Sequence, residues 1–308
     1  MSDVDLIRID ASIDELISTS ARVEKLAGGF TFTEGPIWFR ESFLLFSDIP
    51  VNVIYKWSPA DGVSVYRVRS GYDGTDTPPG ALIGSNGLTM DSQGRLVVCE
   101  HGNRRVTRLE QDGSSTVIAS HYQGKRLNSP NDAVHKSDGA LYFTDPPYGL
   151  LLRDQDPAKE LAFNGVYRIL HGELQLLCTD LTRPNGLVFS PDERCLYVAN
   201  SDHERKTWTQ FEVKPDGSLG SSEIFYDATH VKEAGVPDGM KADQKGNLYC
   251  TGPGGIWVFS PQGRHLGTLR LPEIPANCHW GDADGKSLYI TARTSLYRIR
   301  LQIAGIRP

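Results

Sequence analysis

An all-β fold, a six-bladed β-propeller, is what three features of this sequence predict. The first is a phrase repeated six times, an Asp, Glu or Asn followed 10 or 11 residues later by an apolar pair. The polar positions are Glu34, Asn86, Asn131, Asn185, Asp238 and Asn277, and the pairs begin at Leu44, Leu96, Leu141, Leu196, Leu248 and Leu288. The second is the interval between copies, roughly 40–55 residues, which suits a blade of four short strands. The third is a separate tight turn between polar residue and pair, such as Asp91-Ser92-Gln93-Gly94 or Asp243-Gln244-Lys245-Gly246. Asn86-Gly87, Asn185-Gly186 and Asp238-Gly239 also have the composition of hairpin dipeptides. A second turn so close to the first would leave the opening strand too short.

The third copy shows how each blade is built. Asp132–His135 opens it after Asn131, Ser137-Asp138-Gly139 is a turn, and Leu141–Thr144 is the second strand. A long connection follows, then Gly165–Leu170, the turn His171-Gly172 and a fourth strand, Leu174–Cys178. Alternating apolar and polar residues bounded by Gly-containing turns support each assignment. Because strands alternate in direction, the long connections 66–84, 146–164 and 227–237 fall on one face, and the polar ring opens there too. Long loops on a rigid scaffold are where function usually sits. Within 146–164, an apolar foot (Leu150, Leu151, Leu152) and a charged tip (Arg153, Asp154, Gln155, Asp156) suggest either a partial cover over a pocket or a loop packed onto its own blade.

The last copy supplies only three strands, ending near Leu301, and Arg22–Leu26 is a fitting fourth that would close the ring. Residues 22–308 are therefore predicted as one propeller domain. Residues 1–21 form an extension outside it, with a short capped helix over residues 10–19.

Composition narrows the function. No apolar run approaches the 18 residues of a membrane span. The net charge is −6, without a Lys/Arg cluster, which argues against a nucleic-acid partner. The amino-terminal residues lack the basic and apolar regions of a secretion signal. Five cysteines without CxxC spacing suggest reduced thiols and a cytoplasmic protein.

Side chains at one phase of every blade share one radius, so the six polar residues point toward the axis. Glu34 and Asp238 offer carboxylates, and Asn131 and Asn185 offer amide oxygens. Such hard ligands favour one divalent cation, Ca²⁺ first, with Mg²⁺, Mn²⁺ or Zn²⁺ as alternatives. A cation with open positions polarises a carbonyl or phosphoryl oxygen and orients water, which points to hydrolysis of an ester-like bond. A second ring lies four residues beyond each anchor Leu: Asp48, Glu100, Asp145, Asn200, Gly252 and Ala292. It either binds sugar hydroxyls or caps strand ends. His101, Asn103 and Tyr148 sit beside it as pocket wall or loop anchor. Asp132 is expected behind the ligands, bonded to Asn131 or to a water.

The motifs EGPIW at 34–38, NSPND at 128–132, RPNGL at 183–187 and PDGM at 237–240 resemble those of the senescence-marker-protein/gluconolactonase family. NGLTMDSQGRLVVCEHGNRRVTR at 86–108 and YFTDPPYGL at 142–150 are similar to its bacterial gluconolactonase branch. The resemblance spans about residues 22–301. It implies a six-bladed propeller that opens a sugar lactone, such as glucono-1,5-lactone, to the free acid with one divalent metal. Carried onto this sequence, it makes Glu34, Asn185 and Asp238 ligands and Asn131 a ligand or close neighbour. Asp238 becomes the base or nucleophile, or else merely orients a water. The resemblance also suggests a substrate-holding residue shortly before Asn131, for which Arg126 and Asn128 are candidates. Asn86, His101, Asp145 and Tyr148 complete the expected substrate contacts. Two other functions remain open: a phosphotriesterase using the same ligands, and a non-catalytic binding propeller.

Overall fold

The computed structural model describes residues 2–3, 5–39 and 42–306. Six antiparallel sheets surround one axis, and their strands follow chain order outward. Blade 1 comprises Thr33–Phe39, Phe43–Asp48, Val53–Ser58 and Gly62–Val68. Blade 2 comprises Ser85–Met90, Leu96–Glu100, Arg105–Leu109 and Ser115–Ala119, and blade 3 Ala133–His135, Leu141–Asp145, Gly165–Leu170 and Glu173–Cys178. Blade 4 has the longest strands: Pro184–Phe189, Cys195–Asp202, Arg205–Val213 and Leu219–Asp227. Met240–Ala242, Leu248–Gly252, Gly255–Phe259 and His265–Arg270 form blade 5, and Asn277–Gly281, Ser287–Ala292 and Ser295–Arg300 begin blade 6.

Ring closure follows the sequence expectation. Arg22–Gly28 pairs with Ser295–Arg300, Val23 opposite Ile299 and Lys25 opposite Tyr297. A strand from one end of the chain thus seals a blade from the other, leaving no open gap in the ring. The residues before Arg22 do more than extend from the propeller. Asp5–Arg8 adds a fifth strand to blade 5, and Ser2–Asp3 adds one to blade 6.

The segment expected to be a helix is a 3₁₀ turn, Ala11–Glu15. Asp10 caps it as predicted, its carboxylate accepting from Ser12 N at 2.9 Å. The span is too short to offset the cost of nucleating an α-helix, and a 3₁₀ turn suffices for so few residues. The turn covers a blade edge, because Ile13 and Ile17 are fully buried at the junction of blades 5 and 6 with Trp280 and Ile299.

The core lies between blades. Among the described residues it divides into six apolar clusters, one at each junction of neighbouring sheets. The apolar anchor pairs sit in these clusters: Leu44 and Leu45 face the junctions of blade 1, Leu248 and Tyr249 those of blade 5. The two faces of each second strand therefore pack against different neighbours, which explains why both residues of a pair are apolar. All five cysteines are free thiols, and Cys99, Cys250 and Cys278 are buried. No described helix is long and apolar enough to cross a membrane.

Candidate active site

The Asn-Gly and Glu-Gly pairs of the ring are not hairpin turns. In blades 1, 2 and 4 the ring residue sits at a register shift inside the first strand, between Glu34 and Ile37, Ser85 and Leu88, and Pro184 and Leu187. A bulge re-aims a side chain and sharpens the local twist. Here it swings an otherwise sheet-bound residue toward the axis. The glycine that follows lets the neighbouring inner strand come close. A Cβ on Gly35 would lie 2.0 Å from the Asn86 carbonyl oxygen, and one on Gly186 2.3 Å from that of Asp238.

One cavity of about 580 Å³ opens at the axis on the face of the long loops. Glu34, Asn86, Asn131, Asn185 and Asp238 form its axial end. Asn277, the sixth ring member, does not line it. Its amide donates to Glu34 Oε2 at 3.1 Å and Asp132 Oδ2 at 3.4 Å, while its oxygen accepts from Cys278 N at 2.8 Å. Asp132 is buried and joined to Asn277 and to Ala133 N; the expected bond to Asn131 is replaced by this pair.

Burial pushes the carboxyls of Asp238 and Glu34 upward, and each is also raised by nearby negative charge, Asp132 acting on both and Glu34 on Asp238. Hydrogen bonds soften the effect, from Asn185 on Asp238 and from Gly35 N, at 2.7 Å, on Glu34. Asp238 Oδ1 is nevertheless buried with no protein partner. Among the described residues no group of three or more His, Cys, Asp or Glu is arranged to hold a metal ion. The axial donors are two carboxylates and amides, an oxygen set suited to a hard divalent cation. A cation at this end would satisfy Asp238 Oδ1 and relieve the repulsion between the two carboxylates.

Of the expected substrate contacts, Asn86, His101 and Tyr148 line the cavity. His101 is fully buried, and burial lowers its pKa to about 3, so the ring is neutral at ordinary pH. Its Nε2 lies 3.3 Å from the Asn86 amide nitrogen. An amide nitrogen can only donate, so Nε2 accepts from Asn86 and the proton of the neutral ring sits on Nδ1, which is buried without a hydrogen-bond partner among the described residues. Burial, then the charge of Asp238, raises the Tyr148 hydroxyl above its usual value, so it stays protonated beside Ser201.

Arg126, Asn128 and Asp145 are placed elsewhere. Asp145 accepts from Asn128 N at 2.7 Å and Ser129 N at 2.8 Å, and the Asn128 amide donates to the carbonyls of Asp145 and Phe163, both at 2.9 Å. The Arg126 guanidinium donates to Asn103 O at 3.0 Å. These groups tie the long loop of blade 3 to the scaffold. Two more members of the second ring behave alike, since Asp48 accepts from Thr31 N and Phe32 N and Asn200 from Arg183 N, whereas Glu100 accepts from the side chains of Asn103, Arg105 and Thr107. An acceptor at the end of the second strand catches the N–H groups of the chain entering the first. Capping is what Asp48, Asp145 and Asn200 do. The Asn128 amide also donates to Asn164 Oδ1 at 3.1 Å, so Asn128→Ala is expected to cost about 1–3 kcal/mol of stability, from three lost bonds that leave buried acceptors unpaired, with KM near wild type. Thermal denaturation beside steady-state kinetics checks this, and a raised KM at unchanged stability would return Asn128 to the substrate.

Several further residues, to which the ring phase does not point, line the cavity. The second strand of blade 4 runs to Asp202 and overhangs the site with Ser201, Asp202, His203 and Glu204. Its unbroken polar run, lacking Gly or Pro before Arg205, was the available clue. Arg153 and Arg183 also reach the cavity. In the 146–164 loop only Leu150 forms a buried foot; Leu151 and Leu152 are exposed, because the following 3₁₀ turn, Arg153–Gln155, points its first residue inward.

A family model described as SMP-30/Gluconolactonase/LRE-like region matches residues 32–294. The gluconolactonase of Zymomonas mobilis subsp. mobilis is 37% identical over 313 residues, covering 97% of this chain and 87% of its own length. A solved structure from Xanthomonas campestris, called a gluconolactonase important in glucose secondary metabolic pathways, superposes with a TM-score of 0.84 at 33% identity, covering 97% and 96% of the two chains. A regucalcin of Agrobacterium tumefaciens, described as a calcium-binding protein, shares the fold at a TM-score of 0.73 with 18% identity, over 92% and 97% of the chains.

Proposed function

Because this chain belongs to the SMP-30/gluconolactonase/LRE-like family, we propose that it opens a sugar lactone at the axial cavity with one divalent cation held by Glu34, Asn131, Asn185 and Asp238. It is a lactonase of the gluconolactonase type. The cation, its identity and the roles of individual residues are our reading of the site. Neither the phosphotriesterase nor the non-catalytic alternative is favoured by its relatives. Free thiols in every cysteine support a cytoplasmic location.

The observation that carries the reading is Asp238 Oδ1, a buried carboxylate oxygen without a partner beside a second buried carboxylate. When bound, a divalent cation supplies Lewis-acid polarisation of the lactone carbonyl and neutralises both carboxylates. Ca²⁺ suits four protein oxygens with positions to spare. Asp238 orients the attacking water and takes its proton as the acyl C–O bond of the ring breaks. The proton ends on the departing ring oxygen, giving the hydroxy acid. Tyr148, protonated, and His101, neutral, leave the cavity wall uncharged at these points. The Tyr148 hydroxyl serves as a hydrogen-bonding group for a polyol, while His101 acts through Asn86. Asn86, held by His101, offers a fixed acceptor.

Proton release from a panel of aldono-1,5- and 1,4-lactones tests this reading. Exhaustive chelation is expected to abolish turnover, and added Ca²⁺ to restore it, with Mg²⁺, Mn²⁺ and Zn²⁺ as comparisons. Full turnover by protein shown to be metal-free would overturn the metal assignment.

A further inference from the structure

Arg183 and Arg153 both face the cavity, yet their charges are treated differently. Arg183 is ion-paired with Asp154 and lies close enough to Asp202 to lower that carboxyl. Arg153 is half-buried, and its Nη1 donates to the backbone carbonyls of Tyr148 and Leu150. Among the described residues it pairs with no carboxylate; burial lowers its pKa, and the Arg183 guanidinium, which lines the same cavity, is close enough to lower it further. The residue also adopts a left-handed backbone, φ 54°, uncommon outside glycine and asparagine. A strained backbone that turns an unpaired guanidinium into a cavity beside a second one needs a compensating anion.

The axial end of the cavity is the place for the lactone carbonyl under the function proposed above, on which this inference rests. Arg153 lies off that end, on the long loop of blade 3, above the Tyr148 ring at 5.5 Å. We propose that Arg153 is a specificity-determining residue that receives an anionic group at the far end of the sugar, so that the preferred substrate is a lactone of a charged sugar acid. The fork of the guanidinium matches a phosphate or carboxylate in bidentate fashion. Among the described residues no ion pair joins Arg153 to the acidic groups at the rim: Asp202 is held by Glu204 N and the Thr182 hydroxyl, and Glu204 is exposed on the hairpin tip next to His203. The apolar lining (Phe32, Ile49, Leu82, Val236) excludes water around the sugar body and strengthens the charge contact.

The test compares kcat/KM for glucono-1,5-lactone, its 6-phosphate and a 6-carboxylate analogue, in the wild type, Arg153→Gln and Arg153→Lys. One charge-assisted contact corresponds to about 10- to 100-fold. The wild type is expected to favour a charged lactone by that factor, Arg153→Gln to bring the ratio to about one, and Arg153→Lys to retain part of it. Which anion gains most separates phosphate from carboxylate. Equal losses on charged and neutral lactones in both variants would mean that Arg153 only braces the loop, and would overturn the proposal. Calorimetric binding of gluconate and 6-phosphogluconate supplies a readout independent of turnover. Tighter binding of the phosphate, lost in Arg153→Gln, supports the subsite even if every lactone proves inert, a result that would sink only the lactonase reading. Indistinguishable binding of the two acids overturns the subsite.

Discussion

Asp238→Asn and Glu34→Gln are each expected to reduce lactone turnover by about 10²–10⁴-fold, while making the metal-free protein more stable than wild type. The opposite signs come from one cause. Both carboxyls are buried, and negative neighbours raise them further. In the folded, metal-free chain their ionised forms are therefore unfavourable. The linkage runs accordingly. A carboxyl whose folded pKa exceeds its unfolded value binds more protons in the native state, so stability falls as pH rises from the ordinary carboxylate range through the raised folded values. The metal-free wild type should lose melting temperature as pH rises from mildly acidic toward neutral, and the two variants should lose less. Cation binding reverses the penalty and stabilises by mass action, so added Ca²⁺ should raise the wild-type melting temperature and have little effect on either variant. Thermal melts across pH, with and without Ca²⁺, check all three statements. A variant that keeps near-native turnover at saturating metal, or a Ca²⁺-induced shift as large as wild type's, removes that residue from the ligand set.

How much of this was legible in the sequence depends on which physics fixed each residue. The ring was readable because a polar residue and an apolar pair recur at one phase, and the phase determines radius in a propeller. Closure by Arg22–Gly28 was readable because only the last repeat lacked a strand. Asp145 and Asn128 misled because a carboxylate at a strand end looks the same whether it meets a sugar hydroxyl or a backbone N–H. Only the path of the chain entering the next strand decides, and that path is tertiary. Arg153 was visible as a charged loop tip, but its inward direction depends on a left-handed backbone that sequence does not announce for arginine. Ser201–Glu204 lie beyond the last repeated position of their blade, Asn200, because blade 4 carries its hairpin past it. Ile13 and Ile17 are another such case. Their burial is set by the gap between blades 5 and 6, not by any local period.

Gly186→Ala is expected to damage the site more than its single methyl suggests. Gly186 follows Asn185 on the inner strand of blade 4, and its φ is not in the left-handed region, so alanine meets no intrinsic backbone strain there. The obstacle is the neighbouring blade. The added Cβ would lie 2.3 Å from Asp238 O and 2.6 Å from Gly239 Cα. Both are backbone atoms, which cannot rotate aside as a flexible side chain would. The inner strands of blades 4 and 5 must separate, and Asn185 and Asp238, proposed as ligands, move apart with them. Overpacking of this kind costs about 1–3 kcal/mol or more. A displacement on the order of 1 Å at a reacting centre costs roughly 10²-fold in rate. Gly94→Ala is the matched control. It sits in a turn at φ 76° with nothing within 4 Å of an added Cβ, so it carries only the left-handed penalty, about 1–2 kcal/mol, remote from the axis. Both variants should therefore melt earlier, yet only Gly186→Ala should lose kcat and require more Ca²⁺ for half-maximal activity. Equal kinetic losses in the two would show that activity tracks global stability, and that the close approach of inner strands at the axis does not hold the ligands in place.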